Sequence, residues 1–167
     1  MDDRALVARQ LGREPRAFRR VVARCPFGLP AVTEQHPYTS GGEPFPTTYY
    51  LTCPHLVAAI SRLEAGGGVE RWSVELVRDP ELAESVVAAT EEQRRVRREL
   101  ADLERGADRG DVLDLGIGGS RNPMQLKCLH AHVAFALARP GYELGERVLA
   151  ELGTEPWPRR CCTEEIA

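Results

Sequence analysis

The sequence predicts an α+β fold: a single domain, mostly helical, with a small antiparallel or mixed sheet built near residues 18–52. Three observations lead there. β-branched and aromatic residues gather in two short runs, AFRRVVAR at 17–24 and TTYYLT at 47–52, each bordered by proline. Beyond Pro54 the apolar residues recur at intervals of three and four, the period of helices packed along one face. Breakers at Gly66-Gly67-Gly68, Asp79-Pro80 and Arg139-Pro140-Gly141 then cut that helical text into segments.

Taken in order, Leu6, Val7 and Leu11 sit at helical spacing in residues 3–11, and Gly12 ends this peripheral helix. Residues 17–24 read as a strand. Ala31 to Thr33 continues the sheet past the break at Pro26, Gly28 and Pro30, as a hairpin or bent strand pair. HPYTSGGEPFP (36–46) is turn chemistry, and TTYYLT is the next strand, ended by Cys53. Pro54 suits a first helical position with Cys53 as N-cap, and Leu56, Ile60 and Leu63 mark the inner face up to the three glycines. VERWSVELV (69–77) fits a helix through Trp72 and Leu76 better than an edge strand.

Asp79 caps a long helix from 80 to about 104, with Leu82, Val86, Val87, Val96, Leu100 and Leu103 expected on its inward side. Its Arg94, Arg95, Arg97 and Arg98 are interleaved with acids, which reads as a solvated face rather than a nucleic-acid footprint. After the loop ERGADRGD, a helix is expected from Pro123 to about Ala138. A final amphipathic helix carries Leu144, Val148, Leu149 and Leu152. The expected domain spans 1–167, with its core at about 17–152 and a loosely attached tail at 153–167.

The 167 residues are long enough to bury a sizeable core without a covalent staple. A net charge of −3 with 43% hydrophobic residues is the profile of a globular chain, so nucleic acid is not indicated by charge. No run of 18 uncharged apolar residues occurs, and the start MDDRALVARQ is acidic where an export signal is basic. The expectation is a cytoplasmic protein with no membrane partner. In that compartment the five cysteines read as thiols or ligands rather than disulfides, although no CxxC is present.

The stretch GIGGSRNPMQLKCLHAH (116–132) holds the chain's one Asn, its one Lys, three glycines, a cysteine and two histidines. Gly116, Gly118 and Gly119 let backbone amides converge, while Ser120, Arg121 and Lys127 add donors and charge, a combination suited to a phosphate or carboxylate. A tight turn before a helix explains the same glycines. On the expected helix, Cys128 and His132 are four residues apart on one face, and His130 points elsewhere. Cys25-Pro26 and Cys53-Pro54 each end a strand, so both thiols can meet at one sheet edge. Cys25, Cys53 and Cys128 with His130 or His132 then make a Cys3His zinc site, or a cluster site for iron–sulfur chemistry, with His36 and His55 in reserve. Buried structural cysteines are the plain alternative. Cys161 and Cys162 read as incidental.

RCPFG (24–28), EPFPTTYYLTCP (43–54), ISRLE (60–64) and KCLHAH (127–132) resemble an uncharacterised bacterial domain-of-unknown-function family widespread in actinobacteria. The resemblance covers most of residues 17–138. It implies that Cys25, Cys128 and His130 are motif positions, favouring His130 where helix geometry favours His132.

The expected function is therefore metal or iron–sulfur binding with a glycine loop that receives a small anionic ligand. Two further readings stand beside it: a non-catalytic interaction module with structural cysteines, and a metal-free thiol enzyme using Cys53 or Cys128.

Overall fold

The computed structural model describes residues 2–101, 106–153, 157 and 159–160. Three strands, β1 (Phe18–Arg24), β2 (Pro30–Gln35) and β3 (Tyr49–Leu51), form one antiparallel sheet in the order β1-β2-β3. The run at 17–24 is thus a strand, with the Pro26–Gly28 break making its return. β2 is central, and every one of its six residues is buried. Its polar members therefore need partners. Gln35 Nε2 donates to Thr33 Oγ1 at 2.6 Å, and Glu34, 2% exposed, accepts from the Arg19 and Arg20 guanidiniums. Burial alone would raise the Glu34 carboxyl, but hydrogen bonds from Arg20 and Arg19 outweigh it and hold it below the usual range. The β1–β2 register shifts three times along seven residues of β1.

Six helices surround this sheet: α1 (Asp3–Leu11), α2 (Pro54–Ala65), α3 (Gly68–Arg78), α4 (Pro80–Leu100), α5 (Leu129–Ala138) and α6 (Glu143–Glu151). Gly12 closes α1 in the left-handed region, and Asp79 Oδ1 caps α4 by accepting the Leu82 amide at 3.1 Å. Residues 69–77 are helical, as Trp72 and Leu76 imply. α5 lies at the centre, packed against β3, α2 and α6. Seven of its ten residues are buried, as expected for a helix that is apolar nearly all round. One main core joins both strand and helix layers, from Val32 and Leu51 through Leu56, Leu82 and Phe135. Trp157, from the region beyond α6, packs partly buried against it. No described helix is long and apolar enough to cross a membrane.

Two sequence expectations need correction. Residues 123–128 are not the first turns of a helix. Asn122 forms a closed turn instead: its side chain accepts the Met124 amide and its carbonyl the Gln125 amide, both at 3.0 Å. Cys128 is extended, and α5 begins only at Leu129. The i,i+4 pairing of Cys128 with His132 on one helical face is lost with it.

The second correction concerns Arg97, which is fully buried rather than solvated. Its Nε donates to the Val112 carbonyl (3.0 Å), Nη1 to Thr48 Oγ1 (3.0 Å) and Nη2 to the Phe45 carbonyl (2.7 Å). It thereby ties the 3₁₀ turn at Asp111–Asp114 and the entry to β3 onto α4. Arg94 and Arg98 also grip that turn, at the Asp114 carbonyl (2.9 Å) and carboxylate (2.6 Å).

α5 and α6 touch at Gly145, where an added Cβ would overlap the His132 carbonyl oxygen and lie 2.6 Å from Ala136 Cβ. The obstacle is backbone and cannot swing aside. Gly145→Ala is expected to destabilise the protein by about 1–3 kcal/mol, read as a lower urea midpoint at unchanged slope.

Candidate functional site

A pocket of about 580 Å3 opens where α1, β3, the first turns of α2 and the start of α5 converge. Its walls follow from local chain logic. Alternation along β3 and the turn at Pro54 bring Tyr49, Leu51 and Thr52 to it, while Val57 and Ala58 share one face of α2. The extended residue Cys128 and the first turn of α5 close the far side with His130 and Ala131. Gly118 approaches closely as well: a Cβ there would lie 3.5 Å from Ala131 Cβ and 3.8 Å from Cys128 Sγ. Gly118 and Gly119 both adopt positive φ, which glycine reaches without strain.

Half of the fourteen lining residues carry a polar side-chain atom. Thr52 is 1% exposed, and its Oγ1 has no hydrogen-bond partner among the described residues. Cys128 is half-buried. Burial raises its thiol pKa, with the Glu64 carboxylate adding to the rise, while the Ala131 and His130 amides at the start of α5 act in the opposite direction. The sulfur is thus reachable, and its burial favours the thiol form.

His130 is held from two sides. Its Nδ1 lies 3.2 Å from Glu64 Oε1, and its Nε2 lies 3.2 Å from both Ser61 Oγ and the Val57 carbonyl. Glu64 Oε1 also accepts the Leu129 amide at 2.5 Å, so one carboxylate from α2 caps α5 and orients the ring. Sequence reasoning passed over Ser61 and Glu64 as site residues. The available signal was their spacing in ISRLE, which puts both on the turn of α2 that follows Val57.

The other expected site residues lie elsewhere. Cys25 and Cys53 are buried among core side chains and do not line the pocket. His132 is buried, its Nδ1 hydrogen-bonded with Tyr142 Oη at 2.7 Å. Among the described residues no group of three or more His, Cys, Asp and Glu is placed to hold a metal ion. Cys128 and His130 are the two expected ligands that share the pocket.

In the glycine loop five of the six expected anion-binding residues, Gly116, Gly119, Ser120, Arg121 and Lys127, use their donors within the chain. Gly116 and Gly119 amides bond to the Ser120 and Gly116 carbonyls, and Ser120 Oγ donates to the Asn122 carbonyl at 2.7 Å. Lys127 Nζ donates to the Gly119 carbonyl at 3.0 Å, and Arg121 pairs with Asp111. The structure thus favours the turn-forming role of these glycines. Cys161 and Cys162 lie outside the described residues.

A family model described as "Protein of unknown function (DUF501)" matches residues 21–150. The chain belongs to the DUF501 family. All strands and helices from β2 through α5 fall inside the DUF501 match, and so do twelve of the fourteen residues lining the pocket, Gln10 and Leu11 being the exceptions. No curated protein and no solved structure matches the chain.

Proposed function

We propose that this DUF501 protein binds a small, uncharged and mostly apolar molecule in the pocket between β3, α2 and α5. One observation carries the reading: among the described residues no Arg, Lys, Asp or Glu side chain lines the pocket, although charged residues make up 28% of the chain. A volume of 580 Å3 falls in the range of small-molecule sites, where carbon walls supply affinity and a few polar atoms supply orientation. Thr47, Tyr50, Cys128 and His130 are among those polar groups here. Zinc or iron–sulfur binding has weaker support, because among the described residues no group of three or more His, Cys, Asp and Glu is placed to hold a metal ion. The burial of Cys25 and Cys53 instead fits structural cysteines.

The neutral fluorophore N-phenyl-1-naphthylamine tests the reading. Saturable binding near one per chain is expected, together with slower iodoacetamide modification of Cys128, followed by peptide mass mapping. Ala58→Trp, placed on the exposed rim, should weaken binding at least tenfold, about 1.4 kcal/mol. Absence of saturable binding by the folded protein, or binding indifferent to Ala58→Trp, would overturn it.

A further inference from the structure

We propose that Ser61, His130 and Glu64 form a nucleophile, base and orienting carboxylate at the rim of the pocket. The relay gives the protein hydrolase activity on small esters or thioesters with an apolar acyl group. The substrate class rests on the pocket reading; the relay rests on its own geometry.

The three side chains stand in the order such chemistry requires. Ser61 Oγ and Glu64 Oε1 each lie 3.2 Å from opposite nitrogens of one ring, within reach for proton transfer. Ser61 is exposed, and it follows Val57 and Ala58 by one turn on α2, so a carbonyl at its hydroxyl leaves the acyl chain directed toward the pocket those residues line. His130 itself lines that pocket. The 2.5 Å bond from the Leu129 amide fixes the carboxylate, which in turn fixes the ring. With its proton on Nδ1 facing Glu64, His130 offers the Nε2 lone pair to the Ser61 hydroxyl. The Val57 carbonyl, 3.2 Å from the same nitrogen, accepts the proton-bearing Nε2 once transfer has occurred.

In the first half-reaction the Ser61 Oγ–H proton passes to His130 Nε2 while Oγ bonds the acyl carbon. The bond from that carbon to the leaving alkoxide or thiolate breaks, and the leaving group takes the proton from Nε2. In the second half, water gives a proton to Nε2, its oxygen bonds the acyl carbon, and Ser61 Oγ departs with that proton, releasing the acid. Ser61 and His130 are the catalytic residues in this scheme, and Glu64 is a positioning residue acting through His130.

Diisopropyl fluorophosphate tests the relay without calling on the pocket. In the folded full-length protein it is expected to label Ser61, located by peptide mass mapping, and p-nitrophenyl butyrate hydrolysis should be lost in Ser61→Ala. His130→Gln should slow labelling at least tenfold. Glu64→Gln retains an oxygen to cap Leu129 yet should slow labelling as well, with partial rescue in Glu64→Asp; a purely structural cap would leave the rate unchanged. No Ser61 adduct on folded protein, or equal labelling of His130→Gln, overturns the relay. Naphthylamine binding without a Ser61 adduct leaves the pocket standing and removes the relay. A His130-dependent Ser61 adduct without naphthylamine binding keeps the relay and removes the apolar substrate class.

Discussion

Arg97→Met is expected to lower the stability of the protein by about 3 kcal/mol, the largest single effect outside the hydrophobic core. The guanidinium has no carboxylate within salt-bridge distance among the described residues and bonds instead to two backbone carbonyls and one hydroxyl. Burial lowers its pKa to about 10, the sign of a cation whose desolvation is incompletely offset. Removing the charge relieves that penalty. It also strands the Phe45 and Val112 carbonyls, and an unpartnered buried acceptor costs about 1–3 kcal/mol. The second effect wins because two acceptors are orphaned by one substitution. Urea unfolding measures the loss directly, and a thermal midpoint lower by roughly 6–12 °C is expected for a chain of this size. An unchanged midpoint would show that water or rearrangement replaces all three bonds. The entry to β3 is held by the same side chain, so naphthylamine affinity should weaken with stability.

A second large effect is expected on acidification. His132 is completely buried, and desolvation lowers its pKa to about 4 from the ordinary 6.5. Above pH 6.5 the ring is neutral in folded and unfolded chains alike and makes no pH-dependent contribution. As pH falls from 6.5 to 4, the unfolded chain takes up a proton that the folded chain refuses, so stability falls with decreasing pH. The difference amounts to roughly 3 kcal/mol at the lower end. Tyr142, whose own pKa burial raises, shares a 2.7 Å hydrogen bond with Nδ1. Urea midpoints at pH 7 and pH 4.5 should therefore differ more in the native protein than in a His132→Leu/Tyr142→Phe pair. Equal pH dependence would assign the acid sensitivity to other groups.

The sheet and most helices were legible because local signals and packing agree there. β-branched residues between prolines made β1 and β3 readable, and Pro54, Gly66 and Asp79 marked helix ends. Non-local partners defeated the reading elsewhere. Arg97 sits among acids and arginines whose pattern matches a wetted face; only the carbonyls of Phe45 and Val112, 52 and 15 residues away in sequence, draw it inward. Pro123 resembled a helix start, yet Asn122 captured the local amides and the true start of α5 took its cap from Glu64, 65 residues earlier. The expected ligand set is divided in the same way: Cys25 and Cys53 at the strand ends are buried in the core, while the extended Cys128 lines the pocket with His130. The apolar pocket had no single sequence signature, since its walls come from four separate elements.

The shifted register of β1 has an effect beyond the sheet itself. β1 is an outer strand, and small sheets commonly recruit a stranger's backbone along such a margin. Three irregularities in seven residues spoil the even spacing of amides and carbonyls that an incoming strand would match. Growth by strand addition along this side is disfavoured, which protects concentrated solutions of the protein from fibrous self-association.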